Sequence, residues 1–208
     1  VAIGDVSGHG IGAALLLAAG RANLRALLSV PRGIREAVEA LDRSLALAPG
    51  NAEALYLKGL ASGRMGDQEG AAEALAASLA LEQGNADAWF RKGLVLAGLG
   101  RTEDAIQAFD APLRLSPGHG GAWFRKGLAL EAAGRREEAA GCYEMAVQFE
   151  PGHGEGWLRR GQSLITLGRP DEGLTALDRA LEIDPGDAGA LLARAGALAD
   201  LGRPEEAL

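Results

Sequence analysis

Apolar residues in this chain recur at helical rather than alternating spacing, in short amphipathic runs separated by turn signals. In Ala86 to Leu99 the apolar side chains Trp89, Phe90, Leu94 and Leu96 share one side of a helix, and Gly100 follows as a C-terminal cap. Thr102 to Leu115 predicts a second helix, opened by Glu103 and Asp104, whose charges suit the positive end of the helix dipole. The acidic pairs Glu137–Glu138, Asp171–Glu172 and Glu205–Glu206 open later helices in the same way. Pro170 and Pro204 fall at or just before a first turn, where proline is tolerated, and Pro-Gly pairs break the chain before the next run.

The two-helix pattern repeats every 34 residues. Trp89, Trp123 and Trp157 form one column, extended by Leu55 and Leu191; Gly59, Gly93, Gly127 and Gly161 form a second, with Ala195 in the fifth place. Gly66, Gly100, Gly134, Gly168 and Gly202 form a third, and Ala71, Ala105, Ala139 and Ala207 a fourth, broken by Gly173. Pro49, Pro117, Pro151 and Pro185 close successive units, with Gln83 in the remaining place. The expected organisation is a lead-in over 1–30, the second helix of a degenerate unit over 31–51, full units at 52–85, 86–119, 120–153 and 154–187, and a partial unit over 188–208.

Small residues such as Gly93 and Ala105 let two helices approach, while Trp89 and Phe109 fill the space between them. One helix pair cannot bury its own apolar face, so neighbours must stack. In order, Trp89, Gly93, Leu96, Gly100, Ala105, Phe109 and Pro117 resemble the signature of the tetratricopeptide repeat family. The resemblance implies an all-α fold, a right-handed superhelical solenoid of antiparallel helix pairs, with a short irregular or strand-like lead-in. Two departures stand out. Pro112 late in a second helix predicts a kink or frayed last turns, and Arg25 stands where the earlier unit should carry its small glycine.

The opening residues differ. Val1 to Gly12 reads as a short strand candidate running into a glycine-rich turn, followed by a helix over Ala13–Ser29. A dinucleotide-binding turn is disfavoured, because Gly8, Gly10 and Gly12 lack its spacing and no second strand with an acidic end follows. The run Gly4 to Leu16, GDVSGHGIGAALL, resembles the metal-binding strand–turn–helix of SpoIIE-type metal-dependent phosphatases. That resemblance implies that Asp5 would bridge two Mn²⁺ or Mg²⁺ ions and that the carbonyl of Val6 could join it. The family's further aspartate segments have no counterpart in this chain, and one carboxylate cannot hold two divalent ions. The chain alone is therefore expected to lack catalysis and any cofactor, Mn²⁺ or Mg²⁺ entering only with a complete phosphatase domain in a longer parent. A third, compatible reading takes residues 11–29 as a packing helix that caps the first unit. The start at Val1 without methionine and the stop at Leu208 within a repeat suggest a piece of a longer chain.

Composition narrows the picture. A net charge of −7 argues against non-specific nucleic-acid binding, and the longest apolar run, Ile11 to Ala19, is too short to span a membrane. The single cysteine, Cys142, excludes an internal disulfide framework and suggests a reducing compartment, the cytoplasm. It lies in a second helix without a paired base, so a small buried side chain is expected rather than a nucleophile. His119 and His153, each in a Pro-Gly-His-Gly turn, read as turn residues, since two histidines without a third ligand make a poor metal site.

By the family resemblance, first helices line a groove in which a partner peptide lies. The register places Tyr56, Phe90, Phe124 and Leu158 there, with Arg91, Arg125 and Arg159 beside them and Leu94 and Leu128 a turn further on. Lys92, Lys126 and Arg160 add positive charge to the same helix layer. The expectation is a scaffold or adaptor gripping an acidic, partly apolar protein or peptide, weighed against a solvated face that merely repeats its charges. Leu60, Leu94 and Leu128 occupy places where the family's carboxylate-clamp version carries asparagines, so that specificity is not expected. Membrane and nucleic acid are not expected partners, and the open end of the stack predicts either fraying there or end-to-end self-association. The alternative is an interaction module of a phosphatase whose catalytic part lies mostly elsewhere.

Overall fold

A computed structural model describes residues 33–203 and residue 205 of the chain. The strand candidate, the Ala13–Ser29 helix, Arg25 and Asp5 lie outside the described residues. Two compact units are resolved, Val1–Arg101 and Thr102–Leu208. Among the described residues no strand occurs. The first unit contains α1 (Gly33–Leu47), α2 (Ala52–Arg64), α3 (Gln68–Leu81) and α4 (Ala86–Gly98). The second contains α5 (Thr102–Leu115), α6 (Gly120–Ala132), α7 (Arg136–Phe149), α8 (Gly154–Thr166), α9 (Pro170–Ile183) and α10 (Ala188–Asp200). Within each unit successive helices pack in sequence order, the all-α arrangement that a solenoid of helix pairs requires.

The glycine column makes the pairs possible. A Cβ at Gly59 would lie 2.6 Å from Leu75 Cγ, one at Gly127 2.6 Å from Tyr143 Cε1, and one at Gly161 2.7 Å from Leu177 Cγ. These separations are shorter than any van der Waals contact, so the large residue of the second helix sits where the first helix has no side chain. Leu75, Tyr143 and Leu177 are almost wholly buried there. Alanines 54, 88, 122 and 190, five residues before that column in the first helices, are fully buried.

The other columns punctuate the chain. Gly66, Gly100, Gly134, Gly168 and Gly202 all have positive φ, between 69° and 86°. At Gly100 the backbone N–H donates to Ala97 O at 3.1 Å and that of Arg101 to Leu96 O at 2.9 Å, a left-handed turn that absorbs the last carbonyls of α4. First helices start on a second column, not noticed as caps from sequence. The Oδ1 atoms of Asn51, Asn85 and Asp187 and the Nδ1 atoms of His119 and His153 each accept the N–H three residues on, at 2.8–3.2 Å. The two histidines are thus helix caps, which requires Nδ1 to be unprotonated. The tryptophans serve the turns too: the indole N–H of Trp89, Trp123 and Trp157 donates to the carbonyl of Gln83, Pro117 and Pro151 at 2.8–2.9 Å.

One expectation needs correction. Pro112 does not fray α5, which continues to Leu115, and Ser116 N–H donates to Pro112 O at 2.7 Å. The ring is fully buried, so its packing offsets the single helical hydrogen bond that proline cannot make.

Substituting Gly161→Ala should lower unfolding free energy by about 1–3 kcal/mol, because both Leu177 and the Gly173 carbonyl obstruct the new methyl. Gly196→Ala, in α10 with nothing within 4 Å of the added carbon, should instead raise it by about 0.5–1 kcal/mol. Urea unfolding of both variants checks the pair.

Candidate functional site

The first unit holds a cavity of about 400 Å³ between α2, α3 and α4. Gly59, Leu60, Gly63 and Arg64 line it from α2, Gln68 and Leu75 from α3, and Arg91, Leu94 and Val95 from α4. Its existence follows from the column logic: Gly59 admits Leu75, and Gly63, one turn on, places no side chain over the opening. A Cβ there would touch only Ala71 Cβ, at 3.6 Å. The lining carries two guanidinium groups and no carboxylate.

A chain of contacts fixes Arg91. Asp87, one turn earlier on α4, pairs with Arg91 Nε at 3.5 Å and accepts a short hydrogen bond from the Tyr56 hydroxyl on α2. Burial, reinforced by that carboxylate, pushes the Tyr56 hydroxyl up from 10.0 to about 12.

The same register in the second unit is built differently. Gly127, Tyr143 and Arg159 match Gly59, Leu75 and Arg91, while Glu131 stands where α2 has Gly63. Tyr143 Oη donates to Glu131 Oε2 at 2.6 Å, and Arg159 Nη1 lies 3.7 Å from Glu131 Oε1. Arg159 also pairs with Glu155 at 3.8 Å, the counterpart of the Arg91–Asp87 pair. Its Nε is buried without a hydrogen-bond partner among the described residues. Burial and the Glu131 carboxylate both raise the Tyr143 hydroxyl far above its ordinary value.

Of the sequence-predicted groove residues, Arg91 and Leu94 line the first-unit cavity, whereas Tyr56 lies outside the lining and reaches Arg91 through Asp87. Phe90 and Leu128 are half-buried, and Leu158 packs against the Leu177, Ala180 and Ala190 cluster. Phe124 departs from the expectation of a displayed aromatic. It is 3% exposed, with its ring centroid 5.8 Å from Tyr143 and 4.5 Å from His153, because the helix-pair core and the next cap close over it. Arg125 stays exposed, its guanidinium 5.9 Å from the Phe124 ring.

The basic layer is partly structural. Lys58, Lys126, Arg160 and Arg194 each meet an acid on the preceding second helix: Asp42 at 2.6 Å, Asp110 at 2.6 Å, Glu144 at 3.4 Å and Asp178 at 2.8 Å. Lys92, Lys126 and Arg160 also lie 5.1–5.8 Å from the Trp89, Trp123 and Trp157 rings. Sequence reasoning counted these cations as available to a partner. The signal it missed was the acid sixteen residues earlier, present before four of the five positions.

Among the described residues, no group of three or more His, Cys, Asp and Glu side chains is placed to hold a metal ion, and no helix is long and apolar enough to cross a membrane. Cys142 is a buried free thiol, pushed by burial from 9.0 to about 11.

A family description of the tetratricopeptide repeat matches residues 62–120 and 158–208, and a second matches 120–153. The chain belongs to the tetratricopeptide repeat family. Residues 1–77 also match the stage II sporulation protein E (SpoIIE) family, which overlaps the first tetratricopeptide helices. Among solved tetratricopeptide-like structures, MamA is 24% identical over 75% of this chain and 91% of its own, with a TM-score of 0.72. MamA 41-end from Desulfovibrio magneticus RS-1 is 21% identical over 90% and 99%, with a TM-score of 0.74. YrrB, described as a TPR protein with an unusual peptide-binding site, is 22% identical over 91% and 92%, with a TM-score of 0.72. At these identities the likeness speaks for the tetratricopeptide fold alone. No curated protein matches the chain.

The raised thiol and hydroxyls set an alkaline limit on this tetratricopeptide stack. A group with a folded-state pKa above its unfolded value stabilises fully below the unfolded value and loses that contribution as pH rises through the folded one. With Cys142 moving from 9.0 to about 11 and Tyr56 from 10.0 to about 12, stability should hold to about pH 9 and fall steadily toward pH 12. Urea midpoints measured across that range check this, and Cys142→Ala should flatten the segment between 9 and 11.

Proposed function

We propose that this chain is a protein-interaction scaffold that holds an acidic, partly apolar segment of a partner protein against the cavity between α2, α3 and α4. The observation that carries the reading is the lining itself. Arg64 and Arg91 stand beside Leu60, Leu75, Leu94 and Val95, with no acidic residue among the lining side chains. A guanidinium grips carboxylate oxygens through two parallel hydrogen bonds, and neighbouring apolar walls remove the ligand's aliphatic part from water. Membership of the tetratricopeptide repeat family supports a protein or peptide as the partner, as does the description of YrrB as a peptide binder. The chain has no catalytic role in this reading and works in the cytoplasm, in keeping with its free Cys142. End-to-end association would run through α10, where Leu191 and Leu192 are exposed.

The test is fluorescence anisotropy with a fluorescein-labelled, C-terminally amidated Leu-Glu-Leu-Glu-Leu peptide. Binding should weaken about tenfold or more in Arg91→Ala, and with Gln in place of Glu in the peptide. It should also weaken as salt rises, since the pair lies near the surface. Unchanged affinity in Arg91→Ala contradicts the reading.

One observation favours a second reading, the SpoIIE-family match across residues 1–77. There the repeats are the targeting arm of a Mn²⁺- or Mg²⁺-dependent phosphatase, and Asp5 is one of its metal ligands. A Mn²⁺ titration followed by electron paramagnetic resonance tests it. Tight binding that Asp5→Asn abolishes supports this reading; binding that is absent or independent of Asp5 counts against it.

A further inference from the structure

Around the matched arginines Arg91 and Arg159, the two units face each guanidinium differently: Gly63 and Leu75 in the first, Glu131 and Tyr143 in the second. We infer that Glu131 is a built-in ligand that closes the α6–α8 site, and that its carboxylate marks what the open α2–α4 site takes: the side-chain carboxylate of a glutamate in a partner segment. This inference rests on the proposed peptide-binding role of the cavity and names its ligand.

The argument is an internal comparison. Arg91 and Arg159 occupy the same place on first helices, and each has an acid one turn earlier, Asp87 at 3.5 Å and Glu155 at 3.8 Å. What differs is the side facing them. From the preceding first helix, Glu131 extends its carboxylate to within 3.7 Å of Arg159, and the Tyr143 hydroxyl donates to its other oxygen at 2.6 Å. The carboxylate is thereby held by a cation and a phenol at once. Facing Arg91, Gly63 supplies no side chain and Leu75 supplies no hydroxyl, and a cavity of about 400 Å³ lies open. Arg91 is accordingly the more exposed side chain, 47% against 36% for Arg159. A glutamate brought by a partner into the space above Gly63 would reproduce the contact that Glu131 makes for its own chain. Leu60 and Leu94 on either side are suited to aliphatic neighbours of that glutamate.

Charge complementarity decides the occupant. The cavity has two cations in its lining and no acid, and among the described residues the filled counterpart, at Arg159, is a glutamate side chain. A chain-terminal carboxylate shares the chemistry but not the aliphatic spacer that carries Glu131 from a helix backbone to the guanidinium. The identity of position 63 or 131 therefore selects which repeat is open to a partner.

The experiment follows the Nε–Hε resonances of Arg91 and Arg159 in the full ¹⁵N-labelled chain as the amidated Leu-Glu-Leu-Glu-Leu peptide is added. In the wild type the Arg91 resonance should shift and that of Arg159 should not. Gly63→Glu transplants the built-in ligand into a place with room for it, and should weaken peptide binding at Arg91 about tenfold or more. Glu131→Ala should do the reverse, freeing Arg159 and Tyr143 so that the Arg159 resonance now responds. A Leu-Gln-Leu-Gln-Leu peptide with a free C-terminus should shift neither resonance; if it alone shifts Arg91, the terminal carboxylate is the ligand and the inference is overturned. Arg91 responding equally in wild type and Gly63→Glu, with Arg159 silent in Glu131→Ala, also overturns it while leaving peptide binding at Arg91 intact. No response of Arg91 in the wild type overturns the underlying peptide-binding reading. Should Gly63→Glu fail to fold, Glu131→Ala decides the matter in the other unit.

Discussion

Everything else in this chain depends on how closely the two helices of a repeat approach. At Gly59, Gly127 and Gly161 a missing side chain lets Leu75, Tyr143 and Leu177 lie against bare backbone, at distances no Cβ could tolerate. That contact fixes the depth of each pair and therefore the register of the next. The residue four positions later varies between repeats: it is Gly63 beside the first-unit cavity, Glu131 on Arg159, and Ile165 packed against the core. Ala97 holds the same place in the repeat between Gly63 and Glu131, and the cavity described lies at Gly63. The close approach is thus kept one helical turn away from a position where the repeats differ in side chain.

The charges divide along the same line. Four of the five cations three residues after the tryptophan column, Lys58, Lys126, Arg160 and Arg194, reach back to an acid on the previous second helix, and Lys126 and Arg160 also lie over the indole. Exposed pairs of this kind add little stability individually, but a repeated pair fixes the relative rotation of neighbouring helices. Among the described residues, Arg91 and Arg159, two residues after the tryptophans, make no such contact with a preceding second helix. In the second unit one of them is already engaged by Glu131, and in the first it borders open space.

The repeat was legible because its constraints are local and recur. A glycine at a left-handed turn, a glycine at a close approach and a proline after a helix each leave one residue type at one spacing, so the helices and the family could be read before any coordinates. The caps were partly legible: Asn51 and Asn85 carry the usual cap chemistry, whereas His119 and His153 do the same work with a ring nitrogen and read only as turn residues. The groove was less so. Phe124 shares its column with Tyr56 and Phe90, yet its burial depends on Tyr143 and His153, neither adjacent in sequence. The exchange of Gly63 for Glu131 was visible in the aligned repeats, but its meaning needed the Tyr143 hydroxyl and the Arg159 guanidinium placed around one carboxylate.

The most direct measurement is a crystal structure of the chain grown with the amidated Leu-Glu-Leu-Glu-Leu peptide. The account predicts a glutamate carboxylate of the peptide within hydrogen-bond reach of the Arg91 guanidinium above Gly63, with Glu131 still on Arg159 and Tyr143. A peptide bound elsewhere on the chain, or an empty α2–α4 cavity at saturating peptide, would contradict it.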